Sequence, residues 1–165
     1  MPQSMQTPRP SWASREGIVM PSGPTNPQRA LPTDPLIVET LYRLALALDE
    51  DNQFVIAQCF TVDASLTATV AGDRSLGTHE GREAVTGWLT TMWRERQAQQ
   101  RLSITNAIAD TPETESVRMT ALFLLTAATA GTLQTLAMGV LRAHLRKEPD
   151  TGWRINRLIL GFDRE

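Results

Sequence analysis

Four polar side chains of types that take part in acid–base chemistry stand out in the sequence: Asn106, Tyr42, Asp49 and His79. The amide of Asn106 can hold a ligand oxygen, and the hydroxyl of Tyr42 can donate a hydrogen bond to one. The carboxylate of Asp49 and the imidazole of His79 can exchange protons, and the ordinary pKa of histidine suits a general base near neutral pH. We treat these four residues as catalytic candidates.

Each candidate also has a structural interpretation that needs no catalysis. Asn106 falls on the same side of a predicted strand as Ile104, so it should point inward, where an amide bonded to the backbone is as reasonable as a ligand contact. Tyr42 lies off the main apolar stripe of its helix, which favours packing. Asp49 follows a helix, where carboxylates commonly cap the next one. His79 lies among turn residues, where an exposed loop position is usual.

Other polar groups are assigned structural roles. Arg142 and His144 share one side of a predicted strand, and we assign that side to an interface or to solvent. The single cysteine, Cys59, lies among apolar neighbours and is predicted to be a buried thiol and not a nucleophile. The two histidines are not at ligand spacing, which argues against zinc, and the glycines form no phosphate-binding pattern. We therefore expect no metal and no cofactor.

Two longer helices and one short helix are predicted to position these side chains. The first has its apolar residues at the spacing of one helical face: Ile37, Leu41, Leu44, Ala45 and Leu48. Asp34 and Pro35 supply its N-cap and first residue, and Asn52 caps the short second helix. The third helix is predicted in the segment GREAVTGWLTTMWRERQ, where Gly87 would allow close packing on a sheet.

Alternating apolar segments predict a first strand at 64–70 and four later strands at 101–109, 116–129, 132–147 and 152–162. Turn signals separate the later strands, which should form an antiparallel meander. The segment from 72 to 81 is turn-rich and is predicted as a connection into the third helix. Helices first and a long-stranded sheet afterwards indicate an α+β fold with helices packed on one face of a bent sheet.

Both faces of the long strands are apolar. In the strand at 132–147 one side holds Leu141 and Leu145, while the other holds Leu136, Met138 and Val140. A monomer needs only one buried sheet face. The second apolar face is therefore predicted to meet another subunit in a symmetric homodimer.

The amino-acid composition indicates how the chain is divided into domains and which classes of partner are not expected. Residues 1–33 hold most of the ten prolines and predict a disordered or loosely docked arm, followed by one domain at 34–165. The net charge of −2 gives no reason to expect a nucleic acid or an anionic membrane as partner. No segment has the apolar length of a membrane span or a signal peptide, so we expect a cytoplasmic location.

The order of three segments links the chain to a known family. A long helix, an acidic break and a short helix lead into FTVDASL, the GREAVTGWL helix follows, and GWRINRLIL closes the chain. In this order and spacing the sequence resembles the SnoaL-like branch of the nuclear transport factor 2-like superfamily, from about Pro35 to the C-terminus. That superfamily includes ketosteroid isomerases, scytalone dehydratase and polyketide cyclases.

The resemblance implies a cone, in which a strongly curved mixed or antiparallel sheet wraps around the long first helix and leaves an apolar pocket. It implies a cofactor-free isomerase, cyclase or dehydratase that acts on a polyketide-, terpenoid- or steroid-like substrate. An open cavity of roughly 300 Å³ or more would support such an enzyme, whereas a cavity closed by Leu102, Phe123 and Leu141 would favour a structural dimer. The expected ligand-binding residues are Trp88, Met92, Leu102, Phe123 and Leu141. Many members form dimers through the outer sheet face, which agrees with the alternation of apolar residues here.

The acid–base positions of the family are mostly not matched in this chain. The carboxylate base of ketosteroid isomerases falls on Ala68, and their helical tyrosine falls near Leu44. The histidine of dehydratases falls on Leu102, or on Arg101 with a one-residue shift. With Gly139 as the family's glycine, the Tyr and Asp of the next-to-last strand fall on Leu141 and Ala143. This leaves a second hypothesis, in which the protein is a non-catalytic dimeric ligand-binding or assembly module.

Overall fold

A computed structural model describes residues 35–95, 98–109 and 115–163 of the chain. Within these residues, three helices and six strands follow one another: α1 Pro35–Asp49, α2 Gln53–Gln58, β1 Phe60–Val70, β2 Arg74–Glu80, α3 Arg82–Arg94, β3 Gln99–Ala109, β4 Ser116–Thr129, β5 Thr132–Glu148 and β6 Gly152–Phe162. The predicted α+β class is confirmed. The predicted arm at 1–33 and the predicted cap Asp34 lie outside the described residues.

Helix α1 forms as its apolar spacing predicts, and all five residues of the predicted face are buried. The hydroxyl of Thr40 donates a hydrogen bond to the Trp153 carbonyl oxygen at 3.3 Å, which joins α1 to β6. The predicted cap of α2 is also confirmed, because the Asn52 side-chain oxygen accepts a hydrogen bond from the Val55 N–H at 3.2 Å. Cys59 follows α2 and is buried as predicted.

The six strands form one curved sheet in the order β2-β1-β6-β5-β4-β3. Strands β3 to β6 are paired as the predicted antiparallel meander. Strand β1 runs parallel to β6, so the sheet is mixed. Register shifts in β3 and between β4 and β5 mark bulges, and bulges bend strands. The sheet therefore curves around α1, which packs against β3 and β6.

Strand β2 corrects the prediction of a turn-rich connection from 72 to 81. It pairs antiparallel with β1, with Thr78 opposite Thr67. The turn itself is confined to the start of this segment, where Ala71 and Gly72 have positive φ angles. β2 is a short edge strand of mostly polar residues, and Leu76 is its apolar residue packed on the core. It therefore lacks the apolar alternation by which a strand is recognised.

The inner face of the sheet forms the core together with the helices. Register aligns Ala121, Leu141 and Leu160 across β4, β5 and β6, so their side chains share one row of the inner face. Val85 and Leu89 of α3 are buried against the same core. The interior of the cone is thus built by the alternate residues of each strand that the sequence pattern assigns to one side.

The outer face of the sheet carries a second group of apolar side chains, which we call the outer apolar patch: Leu122, Leu124, Met138, Val140 and Ile159. Leu122 lies opposite Val140 and Leu124 lies opposite Met138, so the patch is continuous across β4 and β5. Leu122 and Met138 are about half exposed, at 44% and 51%. The predicted division of β4 and β5 into two apolar faces is confirmed.

Helix α3 positions two apolar residues but does not use its glycine as predicted. Gly87 is exposed, and a Cβ added to it would meet nothing within 4 Å. The prediction that Gly87 allows close packing on the sheet is therefore wrong. At the other end of α3, the Arg94 guanidinium binds the Asp51 carboxylate at 2.8 Å, which ties the helix to the break between α1 and α2.

Candidate functional site

An apolar cavity lies inside the cone, between α1, the C-terminal half of α3 and the inner face of the sheet. Its volume is about 40 Å³. The described residues that line it are all apolar: Leu44, Leu48, Leu89, Met92, Trp93, Leu102, Ile104, Phe123, Leu125, Leu141, Leu158, Leu160 and Phe162. A site of this composition favours an apolar ligand, because such a ligand gains from leaving water and forfeits few hydrogen bonds.

A glycine makes room for two aromatic rings of the cavity wall. Gly139 in β5 lies opposite Phe123 on one side and Phe162 on the other. The two rings pack edge to face, with centroids 5.3 Å apart and planes at 78°. A Cβ added to Gly139 would overlap the Gly161 carbonyl oxygen and come within 3.0 Å of the Phe123 ring. The glycine therefore sets the spacing of β5 and β6 at this point.

The cavity is much smaller than the pocket expected from the family resemblance. A volume of about 40 Å³ holds roughly three water-sized spheres. Leu102, Phe123 and Leu141 project into the cone and occupy much of the space that a multi-ring substrate requires. Met92 and Trp93 on the α3 side of the wall are half-buried, so these side chains are not fixed by the core on all sides.

Four of the five predicted ligand-binding residues line the cavity: Met92, Leu102, Phe123 and Leu141. Trp88 does not belong to the lining, so its predicted place in the wall is wrong. Trp88 lies one helical turn before Met92 and packs on His79 of β2 instead, whereas Leu89 and Met92 line the cavity.

Asp49 is a catalytic candidate that is hydrogen-bonded to a residue of the cavity lining. Its carboxylate oxygen accepts a hydrogen bond from the Leu102 N–H at 2.9 Å, and both Leu48 and Leu102 line the cavity. Burial raises the pKa of the Asp49 carboxyl, while the Leu102 hydrogen bond and the Arg101 charge lower it. The net effect is an elevated pKa, which is the direction that a carboxylate used in proton transfer needs.

Tyr42 and Asn106 lie away from the cavity. Tyr42 is 45% exposed and is not among the lining residues. Asn106 occupies a bulge between Thr105 and Ile108, has a φ of 53°, and is exposed. The predicted inward orientation of Asn106 is therefore wrong, because the bulge interrupts the alternation on which that prediction depends.

His79 lies in β2 and packs on the ring of Trp88, with ring centroids 5.2 Å apart. It is half-buried, so the prediction of an exposed loop histidine is wrong. Its Nε2 atom is buried and has no hydrogen-bond partner among the described residues. The pair lies on the β2 side of α3 and is separate from the cavity lining.

Nine lining residues were not among the predicted ligand-binding residues, and most of them follow a recognisable periodicity. Leu89 and Trp93 continue the spacing of Val85 at intervals of four, which marks one face of α3. Leu158, Leu160 and Phe162 alternate along β6 and all line the cavity. The periodicity of these residues in the sequence identifies the apolar face of the helix or strand. Only the folded structure shows which residues of that face border the cavity.

The described part of the chain offers no cluster of three metal-ligating side chains. This finding covers His, Cys, Asp and Glu in residues 35–95, 98–109 and 115–163. None of the helices in these residues combines the length and the apolar character required to cross a membrane.

The sequence profile of a SnoaL-like domain matches residues 30–159 of the chain. None of the curated proteins matches. Many solved structures do, and all three named below are under 25% identical, so their likeness concerns the fold.

One such structure is a protein of unknown function with a cystatin-like fold from Nostoc punctiforme, with a TM-score of 0.67, 17% identity, and coverage of 78% of this chain and 90% of that chain. A nuclear transport factor 2-like superfamily protein from Salmonella enterica has a TM-score of 0.64, 18% identity, and coverage of 79% and 90%. A structure from Catenulispora acidiphila in complex with S-DNPA has a TM-score of 0.64, 21% identity, and coverage of 76% and 90%.

Proposed function

This chain belongs to the SnoaL-like domain family, and from that premise we propose that it is a homodimeric protein that binds a compact, mainly apolar small molecule inside its cone. The observation that carries the proposal is the cavity of about 40 Å³ with its almost wholly apolar lining among the described residues. A structure of similar fold from Catenulispora acidiphila is in complex with S-DNPA, and this complex supports the proposal that the fold can hold a ligand.

The size of the cavity sets the class of ligand. A single ring enters after small movements of the half-buried Met92 and Trp93 side chains. Methionine adapts easily to such changes, because it has three rotatable bonds and no branch point. A polyketide-, terpenoid- or steroid-like molecule of several rings requires a larger displacement of α3 from the sheet. A one-ring ligand is therefore the simplest occupant.

The homodimer is proposed from the outer apolar patch. Exposed apolar residues that are contiguous across strands commonly mark an interface between proteins. Two copies of a sheet face can meet in a twofold arrangement, in which the same residues contribute from each subunit.

A cavity-filling variant tests ligand binding. Leu125→Phe adds ring atoms to a buried lining position, whereas Leu122→Phe adds the same atoms on the outer face. With toluene as the probe in calorimetry, we expect the Leu122→Phe control to bind as the wild type does, while Leu125→Phe loses roughly tenfold or more in affinity. Equal affinities for both folded variants would contradict binding in the cone.

A cofactor-free isomerase, cyclase or dehydratase is the second candidate function, and Asp49 favours it. An elevated carboxyl pKa beside an apolar cavity suits general acid–base catalysis. Its test is proton exchange at the α-carbon of cyclohexanone in deuterated buffer, followed by NMR. Exchange that is faster than buffer alone and is lost in Asp49→Asn supports catalysis. Exchange at the buffer rate with bound ketone supports binding alone.

A further inference from the structure

Two buried polar atoms next to the cavity lack hydrogen-bond partners. They are Nε1 of Trp93, which is a donor, and Oε1 of Gln100, which is an acceptor. Neither atom finds a partner among the described residues. Buried polar atoms in folded proteins almost always have partners, so an unpaired donor and an unpaired acceptor at one place require an explanation.

The two side chains are tied to each other. Gln100 Nε2 donates a hydrogen bond to the Trp93 carbonyl oxygen at 2.6 Å. Because that carbonyl can only accept, the bond identifies Nε2 as the amide nitrogen and leaves Oε1 as the unpaired oxygen. Gln100 is only 5% exposed, so its unpaired oxygen is not compensated by bulk water.

Trp93 is a lining residue of the cavity, and Gln100 is its hydrogen-bonded neighbour, which does not itself belong to the lining. Gln100 lies on the inner face of β3, two residues before Leu102, and Leu102 and Ile104 on that face both line the cavity. The hydrogen bond between them joins the C-terminal end of α3 to the beginning of β3, and each element carries cavity-lining residues.

We propose that Trp93 and Gln100 form the polar end of the ligand site and that the ligand carries a hydroxyl group. The hydroxyl oxygen accepts a hydrogen bond from Trp93 Nε1, and the hydroxyl proton is donated to Gln100 Oε1. One hydroxyl satisfies both atoms, whereas a carbonyl satisfies only the donor and an ether leaves the acceptor unpaired. The ligand class is thus a compact apolar alcohol or phenol. This inference rests on the proposed binding function and adds the chemical class of the ligand.

Phenol and toluene provide a matched pair of probes, because they differ by a hydroxyl in place of a methyl group. Phenol is better hydrated than toluene, so a purely apolar cavity prefers toluene. In calorimetric titrations of the wild-type protein, we expect phenol to bind at least as tightly as toluene. In Trp93→Phe and Gln100→Leu, we expect the affinity for phenol to fall about tenfold while that for toluene changes little.

Trp88→Phe is the control, because Trp88 is on the same helix but does not line the cavity. It should leave both affinities unchanged. A changed affinity for toluene would also show that a substitution has altered the cavity itself. If toluene binds and phenol binds much more weakly in the wild type, the hydroxyl site is refuted while the binding function stands.

The same refutation follows if Trp93→Phe and Gln100→Leu weaken both probes equally, because the two residues then do not distinguish a hydroxyl from a methyl group. If neither probe binds the wild type, the binding function fails and the inference fails with it. Toluene binding to the wild type therefore tests the proposed binding function, and the comparison of phenol with toluene tests the hydroxyl site.

Discussion

Asp49 is a single residue whose carboxylate both supports the fold and has a shifted pKa. It accepts the Leu102 N–H and so joins the end of α1 to β3. The same half-buried position raises its pKa, with burial as the largest cause. Because the folded state holds this proton more tightly than the unfolded chain, its ionisation lowers stability as the pH rises from 3.8 through the elevated pKa.

A pair of substitutions at Asp49 separates its hydrogen bond from its charge. Asp49→Asn keeps an acceptor for the Leu102 N–H and removes the ionisation, so at pH 7 we expect it to be at least as stable as the wild type. Asp49→Ala leaves that N–H unpaired and should cost about 1 kcal/mol. Urea unfolding at pH 7 measures both. Equal losses in the two variants would show that the charge supports the fold.

Cys59 gives a single-site test of the core. Burial raises the pKa of its thiol to about 11, and the side chain is 2% exposed. A thiol in this state is protonated at neutral pH and is shielded from reagents. We expect iodoacetamide at pH 8 to leave the folded protein unmodified and to label it fully in urea, as read by mass spectrometry. Rapid labelling without urea would mean that the α2–β1 junction opens readily.

At the scale of the elements, Gly139 and Gly87 make a matched test of close approach. An alanine at Gly139 would overlap the Gly161 carbonyl oxygen, whereas an alanine at Gly87 would meet open space within a helix. We expect Gly139→Ala to lower the free energy of unfolding by about 2 kcal/mol. Gly87→Ala should raise it by about 1 kcal/mol through helix propensity. Thermal and urea unfolding measure both changes, and a tolerated Gly139→Ala would contradict the described spacing of β5 and β6.

Strong periodicity made the helices and the meander predictable from the sequence. Leu141 and Leu145 alternate with Val140, so the two faces of β5 can be assigned without a structure. Strand β2 has no such alternation, and the bulge at Asn106 reverses the assignment of a face within β3. The existence of β2 and the position of the bulge both depend on pairing with a neighbouring strand. This pairing cannot be read from a single sequence.

The candidate site was less predictable than the fold for a related reason. The alternation of apolar residues along the strands and their spacing on the third helix predict the apolar walls. Together with the family resemblance, these patterns identify Met92, Leu102, Phe123 and Leu141. The pair of Trp93 and Gln100 could not be identified from the sequence. Whether a polar atom is buried without a hydrogen-bond partner depends on the folded surroundings and not on the residue type. The volume of the cavity likewise depends on how far large side chains reach across the cone.

At the scale of the whole molecule, the outer apolar patch predicts a dimer. A charge placed in a buried apolar interface is costly, so Met138→Glu should convert the dimer to a monomer. Phe54→Glu is the control, since Phe54 is 73% exposed but belongs to α2 and not to the sheet. Sedimentation equilibrium measures the mass. A monomeric wild type, or a Met138→Glu variant that remains dimeric, would contradict the proposed interface.

Binding of a compact ligand inside the cone can be observed by methyl NMR with added phenol. The methyl groups of Leu44, Leu89 and Ile104 line the cavity, whereas those of Leu122 and Leu133 are exposed elsewhere on the molecule. We predict saturable shifts of the lining methyl resonances, with Leu122 and Leu133 unaffected. Shifts confined to the exposed methyl groups, or none at all, would contradict binding inside the cone.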